Sequence, residues 1–346
     1  MALLAAIGAV CLIACHGAPA DHFATFAEHL SKEKALVKIY ASGPALSKFE
    51  QRGIKVTFPF CVDGISSEEE DVLAQQIAKA CSSESVVITD LGHAFDIKLQ
   101  KALADHAGSV TRFAYYENPE SYVPGGYSVR AAAVIQEAQG VLFANANLAE
   151  APIFEEPGKV IDLTNQKRIG IGYYPIDQGE KMIQRRLKDR APLRKTLLSK
   201  LGMSDTGQRI LVYFGGNNDA YFSKAFPAFL QLLEDGIAKS DLSQTVILFQ
   251  QHPGAKSLNL DGAKMSDWIR ANEQKAWAPK VKMSCLSSDE AQVLADAALY
   301  WQTSMGPLWA LAGIPAIQVG HETFEDILVR NRWAPSISVC WRADLL

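Results

Sequence analysis

The sequence predicts an α/β protein built from two Rossmann-like halves. Short apolar runs alternate with amphipathic segments along the chain, which is typical of parallel sheets whose strands are joined by helices. The 346 residues exceed the length of one typical domain. A glycine-rich turn, Gly215-Gly216-Asn217-Asn218, follows a strand early in the second half, as expected where backbone approaches a ligand closely. The alternative for this turn is a strand–helix connection capped by Asn.

The first half predicts a doubly wound parallel sheet. Strands are expected at residues 6–14, 35–40, 54–60, 85–89, 110–116, 140–144, 159–163 and 168–172. Helices are expected at residues 23–30, 45–51, 68–81, 95–106 and 127–138, with a further turn or helix at 145–149. Asp21 is the expected N-cap of the first helix.

The apolar N-terminal run has two interpretations. Its end, Leu12-Ile13-Ala14-Cys15, resembles a lipoprotein cleavage site. A signal peptide should carry a positive leading region, yet no Lys or Arg precedes Lys32. The run also leads directly into a helix, so we favour a buried first strand over a signal sequence.

Loop residues at 172–177 mark a boundary between the halves. We expect an N-terminal domain at residues 1–172, a linker at 173–181 and a C-terminal domain at 182–346. A long basic helix at 180–201, interrupted or restarted at Pro192, opens the second half. Its excess of Lys and Arg predicts a solvated face. The alternative is a docking surface for an acidic membrane or acceptor.

The second half repeats the pattern of the first. Strands are expected at 209–214, 245–250, 281–283, 295–300 and 314–319, and helices at 220–234, 267–276, 289–295, 308–312 and 322–331. Two such halves are expected to leave a cleft between the carboxyl ends of both sheets, where open α/β sheets bind ligands.

Composition excludes several classes of function. A net charge of −4 and a pI near 6.0 give no basic surface for nucleic acid. The six cysteines contain no C-x-x-C pair, which argues against a zinc site or a disulfide framework and for a reducing, cytoplasmic location.

Phosphate-binding chemistry is expected at the loop before residues 308–312. Thr303, Ser304, Met305 and Gly306 offer hydroxyl and backbone donors at a helix start. His252 follows a strand and precedes a proline, so its imidazole should lie at the sheet edge, where it can donate to a pyrophosphate. The alternatives are an ordinary βαβ crossover and a structural loop histidine.

Four segments give the chain a resemblance to a known architecture. They are YASGPALSKFEQRGIKVTF (40–58), GYYPID (172–177), LVYFGGNND (211–219) and ADAALYWQTSMGPLWALAGIPAIQV (295–319). In this order they resemble segments of GT-B glycosyltransferases and their relatives, the non-phosphorylating UDP-N-acetylglucosamine 2-epimerases. The resemblance covers nearly the whole chain. It implies a nucleotide-sugar donor on the second half and an acceptor on the first.

The sequence departs from these families at several positions. The Arg-bearing loop of the epimerases is replaced by His16-Gly17-Ala18, and their Ser-Gly-Gly and paired Glu by Gln302–Ser304, Pro307 and Leu308. Leu308 stands where GT-B transferases often place a ribose-binding Glu, and Glu322 is the candidate to replace it or to contact the donor sugar. The alternative for Glu322 is a plain charge at the N-terminus of a helix. The CDP-glycerol and capsule transferases fit the missing Glu better, and they share a His-Pro like that at His252 and a Ser like Ser304.

Sugar transfer to a hydroxyl group needs a general base. His16, Asp90 and Glu117 are the candidates, because each lies at the carboxyl end of a predicted strand. Asp21 could orient His16, and His93 could pair with Asp90. The alternatives are a loop histidine for His16 and a helix cap for Asp90.

The resemblance and the residues together predict a metal-independent glycosyltransferase. No carboxylate pair of the DxD type stands in a suitable loop, and no cofactor is expected beyond the nucleotide-sugar donor. The acceptor would be a carbohydrate, a lipid-linked molecule or a small molecule, with peripheral membrane contact if it is lipid-linked. The rivals are a 2-epimerase-like isomerase or hydrolase acting through Asp90 and Glu117, a CDP-glycerol or capsule-type transferase, and a non-catalytic nucleotide-sugar-binding protein.

Overall fold

The computed structural model divides the chain into two compact units, Met1–Tyr174 and Pro175–Leu346. It describes residues 9–106, 110–117, 126–144, 146–150, 154–156, 159–171, 175–204, 207–217, 221–239, 244–252, 255, 259–275, 278–301, 303, 305–319 and 336–337. Each unit contains a parallel sheet flanked by helices, which confirms the predicted α/β class with two Rossmann-like domains.

The first unit contains a seven-stranded sheet with the order β3-β2-β1-β4-β5-β6-β9. Its strands are β1 (Ala9–Ala14), β2 (Leu36–Ser42), β3 (Phe58–Phe60), β4 (Val86–Thr89), β5 (Thr111–Tyr116), β6 (Gly140–Phe143) and β9 (Lys167–Gly170). Its helices are α1 (Gly17–Lys32), α2 (Gly43–Gln51), α3 (Ser67–Cys81), α4 (Ala94–His106) and α5 (Gly126–Glu137), with a 3₁₀ turn at Ala146–Ala149.

The central strand β1 is apolar throughout because both of its faces are covered. Leu12 packs with Phe23 of α1 on one face. Ile13 packs with Ile77 of α3 and Leu99 of α4 on the other. Such two-sided burial explains why the sequence shows a continuous apolar run rather than an alternating one.

Helix α1 begins earlier than the sequence predicted. It starts at Gly17, directly after the N-cap residue His16, so the expected N-cap role of Asp21 is wrong. Asp21 lies inside the helix, and its carboxylate pairs with Lys48 of α2 at 2.9 Å. The segment 17–19 can form the first turn because Pro19 needs no hydrogen-bond partner for its nitrogen there.

One short strand pair departs from the parallel pattern. Strands β7 (Phe154–Glu156) and β8 (Lys159–Val160) pair antiparallel in a separate two-stranded sheet. The strand predicted at 159–163 is therefore not part of the main sheet. Only the strand predicted at 168–172 joins it, as β9 beside β6.

The second unit repeats the strand order of the first. Its six-stranded sheet has the order β12-β11-β10-β13-β14-β15. The strands are β10 (Arg209–Phe214), β11 (Thr245–Gln250), β12 (Val281–Met283), β13 (Ala297–Tyr300), β14 (Ala316–Val319) and β15 (Ser336–Ile337). The helices are α6 (Pro175–Lys200), α7 (Phe226–Lys239), α8 (Leu260–Ala271), α9 (Ser288–Leu294) and α10 (Gly306–Leu311), with a π-helical turn at Tyr221–Ala225 and a 3₁₀ turn at Ala278–Lys280.

The basic helix α6 is continuous, so the predicted interruption at Pro192 is wrong. Pro192 lies on the exposed side of the helix, where water can satisfy the carbonyl that its missing N–H leaves free. Among the described residues, no helix has the length and apolar character needed to cross a bilayer.

Helix α8 also begins earlier than predicted, at residue 260 rather than 267. Asn259 precedes it with a left-handed φ of 50°, a conformation that Asn tolerates better than most residues. The residues at this start show no helical spacing of apolar side chains, which explains why the prediction began the helix too late. The helix predicted at 322–331 lies outside the described residues.

Candidate functional site

Asp90 lies at the point where the strand order of the first sheet reverses. It directly follows β4, which pairs with β1, and its backbone N–H donates to the carbonyl of Ile13 at 3.0 Å. Ligands of open α/β sheets bind outside the carboxyl ends of strands at such a point. The fold therefore brings the residues that follow β1 and β4 together at the edge where a ligand is expected.

The Asp90 carboxylate is held by the turn after β1. Its Oδ2 atom accepts hydrogen bonds from the backbone N–H groups of Cys15 at 2.8 Å and His16 at 2.9 Å. The same oxygen lies 3.3 Å from Nδ1 of His16. The Asp90 side chain is fully buried, whereas that of His16 is 38% exposed. The His16 side chain is therefore accessible from solvent, whereas that of Asp90 is not.

The two groups favour each other's charged form. Burial alone lowers the pKa of His16, but the hydrogen bond to Asp90 and the charges of Asp90 and Glu117 raise it above the usual value. Burial alone raises the pKa of Asp90, but hydrogen bonds involving His16 and Asp96 lower it below the usual value. The arrangement is a carboxylate–imidazole dyad in which Nδ1 of His16 faces Asp90.

Glu117 follows β5, the strand next to β4. Its Oε2 atom is buried and has no hydrogen-bond partner in the part of the chain that the structure describes. Burial raises the pKa of Glu117 to about 7, with the His16 charge acting against this rise. Glu117 can therefore exchange a proton near neutral pH, as a general acid or base must. The structure thus brings His16, Asp90 and Glu117 to one sheet edge.

His93 does not form the predicted pair with Asp90 among the described contacts. Its Nδ1 atom accepts from the backbone N–H of Phe95 at 3.1 Å, so its side chain caps α4. Its ring centroid lies 5.9 Å from that of His16. Burial and the His16 charge lower the pKa of His93, so it stays neutral beside the dyad.

Sequence reasoning missed Cys15 and Asp96, which complete the buried side of this site. The sulfur atom of Cys15 and one carboxylate oxygen from each of Asp90 and Asp96 lie within 4.8 Å of one another. Burial raises the pKa of the Cys15 thiol well above its usual value, and four neighbouring carboxyl groups add to the rise. The only sequence signal for Asp96 is its place in the first turn of a helix, which also fits a helix-capping carboxylate.

On the second unit, the glycine turn after β10 is tightly packed. A Cβ atom on Gly215 would lie 2.8 Å from Oδ2 of Asp261 and 2.9 Å from the hydroxyl of Tyr221. A Cβ on Gly216 would lie 2.7 Å from the Tyr221 ring. These glycines therefore have a packing role besides any ligand contact. Asn217 is exposed at the end of the turn, and Asn218 lies outside the described residues.

His252 reaches the same sheet edge, because β11 lies beside β10. It is half-buried, and burial lowers its pKa while the charge of Asp261 opposes the shift. The buried Asp261 carboxylate accepts hydrogen bonds from Tyr221 at 3.0 Å and Gln251 at 3.2 Å. Asp261 was not singled out in the sequence, and its role in the structure is to hold the turns after β10 and β11 together.

The loop after β13 also reaches this edge, since β13 lies on the other side of β10. The hydroxyl of Thr303 accepts from the backbone N–H of Met305 at 3.1 Å, which stabilises the turn before α10. Gly306 is buried at the first position of that short helix, and Leu308 is half-buried within it. Two further predicted donor residues, Ser304 and Glu322, lie outside the described residues.

The arginines of α6 have a structural explanation. Arg186 Nη1 donates to the carbonyls of Gln292, Val293 and Ala295 at 2.9–3.0 Å, which caps the end of α9. Arg190 and Arg194 pair with Asp296. This part of the basic helix therefore binds its own unit, whereas the prediction assigned its charge to a solvated face.

Comparison with known proteins shows likeness in structure alone. No protein-family model matches the sequence, and no curated protein matches it. The structure of S. aureus MnaA with UDP is 11% identical, with a TM-score of 0.64 over 91% of this chain and 81% of that one. UDP-GlcNAc 2-epimerase from Neisseria meningitidis bound to UDP-GlcNAc is 10% identical, with a TM-score of 0.64 over 90% and 82%. A glycosyltransferase from Rickettsia africae is 10% identical, with a TM-score of 0.63 over 98% and 86%.

These similarities define the class of fold. The chain has the two-domain Rossmann-like fold that UDP-GlcNAc 2-epimerases share with a glycosyltransferase, which confirms the fold that the resemblance in the sequence implies. Identities near one in ten leave substrate and reaction to be argued from the residues of the site.

Proposed function

We propose that this protein is a nucleotide-sugar glycosyltransferase in which His16 is the general base. The first unit would bind the acceptor and the second unit the donor. The single observation that supports this most strongly is the dyad of Asp90 and His16 at the switch point of the first sheet. UDP and UDP-GlcNAc in neighbouring structures of the same fold support a nucleotide-sugar donor.

The dyad suits deprotonation of an acceptor hydroxyl group. Asp90 engages Nδ1 of His16, so Nε2 can take the hydroxyl proton while the acceptor oxygen attacks the anomeric carbon of the sugar. The bond between that carbon and the nucleotide diphosphate breaks, and the diphosphate leaves with the electron pair. Because Asp90 is fully buried, it would orient the imidazole and stabilise its protonated form rather than touch the acceptor.

The second unit offers the elements of a donor site. The turns after β10, β11 and β13 reach one sheet edge, and they carry Gly215, His252 and Thr303. Backbone N–H groups at such turns bind phosphate without a metal ion. The proposal needs no cofactor apart from the donor. The free thiols of Cys11, Cys15, Cys61, Cys81 and Cys285 fit a reducing compartment.

A panel of UDP-, CDP- and GDP-sugars, incubated with and without candidate acceptors, tests the proposal. We expect thermal stabilisation by one class of nucleotide diphosphate and a glycosylated product that forms only with acceptor. His16→Gln should remove transfer and keep donor binding, whereas His106→Gln on the exposed end of α4 should change neither. Transfer of glycerol phosphate from a CDP donor would indicate the capsule-type reaction. Binding without turnover would contradict a catalytic role.

A second candidate is a 2-epimerase-like isomerase or hydrolase. It is favoured by Glu117, whose pKa of about 7 suits proton exchange at a sugar carbon, and by the epimerases among the structural neighbours. This reaction needs no acceptor. Release of the free epimeric sugar from the donor alone, lost in Glu117→Gln, would establish it and overturn the transferase proposal.

A further inference from the structure

The carboxyl groups of Asp90 and Asp96 meet in a fully buried position beside the dyad. Both residues are 0% exposed. The Oδ1 atom of each is buried, and no hydrogen-bond donor among the described residues reaches it. An oxygen of one carboxyl group nevertheless lies within 4.8 Å of an oxygen of the other, and their side chains interact directly. Two ionised carboxylates in such a position would repel each other without water to screen them.

Helix capping explains the position of only one of the two carboxyl oxygens of Asp96. Its Oδ2 atom accepts the backbone N–H of His93 at 2.8 Å, which satisfies one free donor at the start of α4. An exposed carboxylate would serve that purpose equally well. Capping gives no reason for Oδ1 to be buried against a second carboxyl group, so this oxygen needs another explanation.

We infer that Asp96 is a positioning residue for the dyad, because its buried carboxyl group is protonated and donates that proton to Asp90. The shared proton satisfies both Oδ1 atoms. It leaves Asp90 ionised, with Oδ2 free to accept from the turn after β1 and to hold the imidazole of His16. Asp96 thus acts on the proposed reaction only through Asp90.

The surrounding charges agree with this assignment of the proton. The titratable and charged groups that act on the dyad and its neighbours Cys15 and His93 are Asp63, Glu70, Asp96, Glu117 and Arg130. Most are acidic, so they oppose a second negative charge beside Asp90. Burial and the Asp90 charge raise the pKa of Asp96 well above its usual value. Nδ1 of His16 faces the other oxygen of Asp90, Oδ2, at 3.3 Å.

A direct test is the pKa of His16, measured by NMR titration of the full chain with labelled histidine and assigned with His16→Gln. If Asp96 is already neutral, Asp96→Asn changes no charge, because a protonated carboxyl group and an amide are both neutral. The amide can also keep both hydrogen bonds, since its oxygen accepts from His93 and its NH₂ group donates to Asp90. The pKa of His16 should then stay within about 0.3 unit of the wild-type value. The matched control Asp63→Asn removes an exposed charge near the same cluster and measures the generic electrostatic effect.

A fall of about one unit or more in the pKa of His16 in Asp96→Asn would show that Asp96 is ionised in the wild type, and would overturn the inference. Infrared difference spectra of wild type against Asp96→Asn give a second measurement, in which a protonated buried carboxyl group should appear in the wild type alone. Stoichiometric uptake of cobalt(II) by wild type but not by Asp96→Asn would also overturn it, since a metal ion would then occupy the place of the proton.

This inference rests on the proposed acid–base role of the dyad, but none of these three measurements needs a substrate. Once an activity is found, Asp96→Ala should lower kcat with little change in KM, and the conservative variant Asp96→Asn should rescue that loss. If no glycosyl transfer is found while the pKa result holds, the proposed function fails and the shared proton stands.

Discussion

Asp90 and His16 lie 3.3 Å apart, Oδ2 to Nδ1, because β1 and β4 are neighbours in the sheet although the residues are 74 positions apart in the chain. The same oxygen accepts two backbone N–H groups from the turn after β1. One carboxylate thus fixes both the backbone and the side chain of this turn. A group held in this way loses little freedom on binding a substrate, which is the condition for an effective general base.

Asp90→Asn should lower kcat/KM for the proposed transfer by about 10²-fold or more, because a neutral amide stabilises the imidazolium ion far less than a carboxylate. The acid limb of the pH profile is a second readout. In wild type the rate should rise as pH passes the raised pKa of His16. In Asp90→Asn that limb should move to lower pH, since burial then acts on His16 with little opposition. An unshifted limb would show that another group is the base.

The same pair also makes the stability of the fold depend on pH. The pKa of Asp90 is lowered in the folded state, so its contribution is present above its ordinary value and is lost as pH falls through the lowered one. The pKa of His16 is raised, so its contribution is complete below its ordinary value and is lost as pH rises through the raised one. The pair therefore stabilises the fold most between the ordinary pKa of Asp90 and the ordinary pKa of His16.

Glu117→Gln should stabilise the fold at alkaline pH. The folded-state pKa of about 7 exceeds the ordinary value of 4.5, so the folded protein holds this proton more tightly than the unfolded chain. Wild type therefore loses stability as pH rises, by about 3 kcal/mol in all, and most of the loss falls between about pH 5 and pH 7. Urea unfolding of both proteins across this range measures the difference. If the free energy of unfolding of Glu117→Gln exceeded that of wild type by the same amount at every pH, Glu117 would not titrate in this range.

The sequence predicted much of this fold because buried parallel strands are continuous apolar runs. Strands β10, β11 and β12 match their predicted bounds, and β1 ends where expected, at Ala14. The starts of α1 and α8 were missed, since each begins with residues that show no apolar period. The antiparallel pair of β7 and β8 was missed because such short strands carry too little pattern.

The candidate site was predictable only in part. Strand ends predicted that His16, Asp90 and Glu117 would share one edge, because parallel strands bring their carboxyl ends together. The place of Asp96 depends on the register of β1 against β4 and on the direction in which α4 leaves the sheet. No local pattern encodes those relations, so in sequence Asp96 is indistinguishable from an ordinary residue of a first helical turn.

Gly215→Ala should destabilise the second unit by about 1–3 kcal/mol, because the new methyl group would overpack a buried contact. Its Cβ atom would lie under 3 Å from both Tyr221 and Asp261, which are hydrogen-bonded to each other at 3.0 Å. Gly17→Ala is the matched control, because its Cβ would meet only Lys48 and Pro44 at 3.7 Å or more. Thermal unfolding measures both. Equal stability of the two variants would mean that the turn after β10 is less tightly packed than these Cβ distances imply.

Asp296→Ala tests whether the basic face of α6 binds its own unit. Oδ2 of Asp296 accepts the backbone N–H of Ile210 at 2.8 Å and lies 3.7 Å from Nη1 of Arg194, while Oδ1 accepts from Arg190. The substitution removes the carboxylate that these donors share, so we expect a loss of about 1–3 kcal/mol in the free energy of unfolding.

Asp189→Ala on the same helix is the matched control for that variant. Asp189 pairs with Arg185 at 3.8 Å, and both side chains are more than a third exposed, so its removal should cost about 0.5 kcal/mol or less. Urea unfolding distinguishes the two positions. If Asp296→Ala proved as mild as Asp189→Ala, the carboxylate of Asp296 would contribute little to holding Arg190 and Arg194. The positive charge of α6 would then be available to an acidic partner, the alternative that the contacts to Asp296 now disfavour.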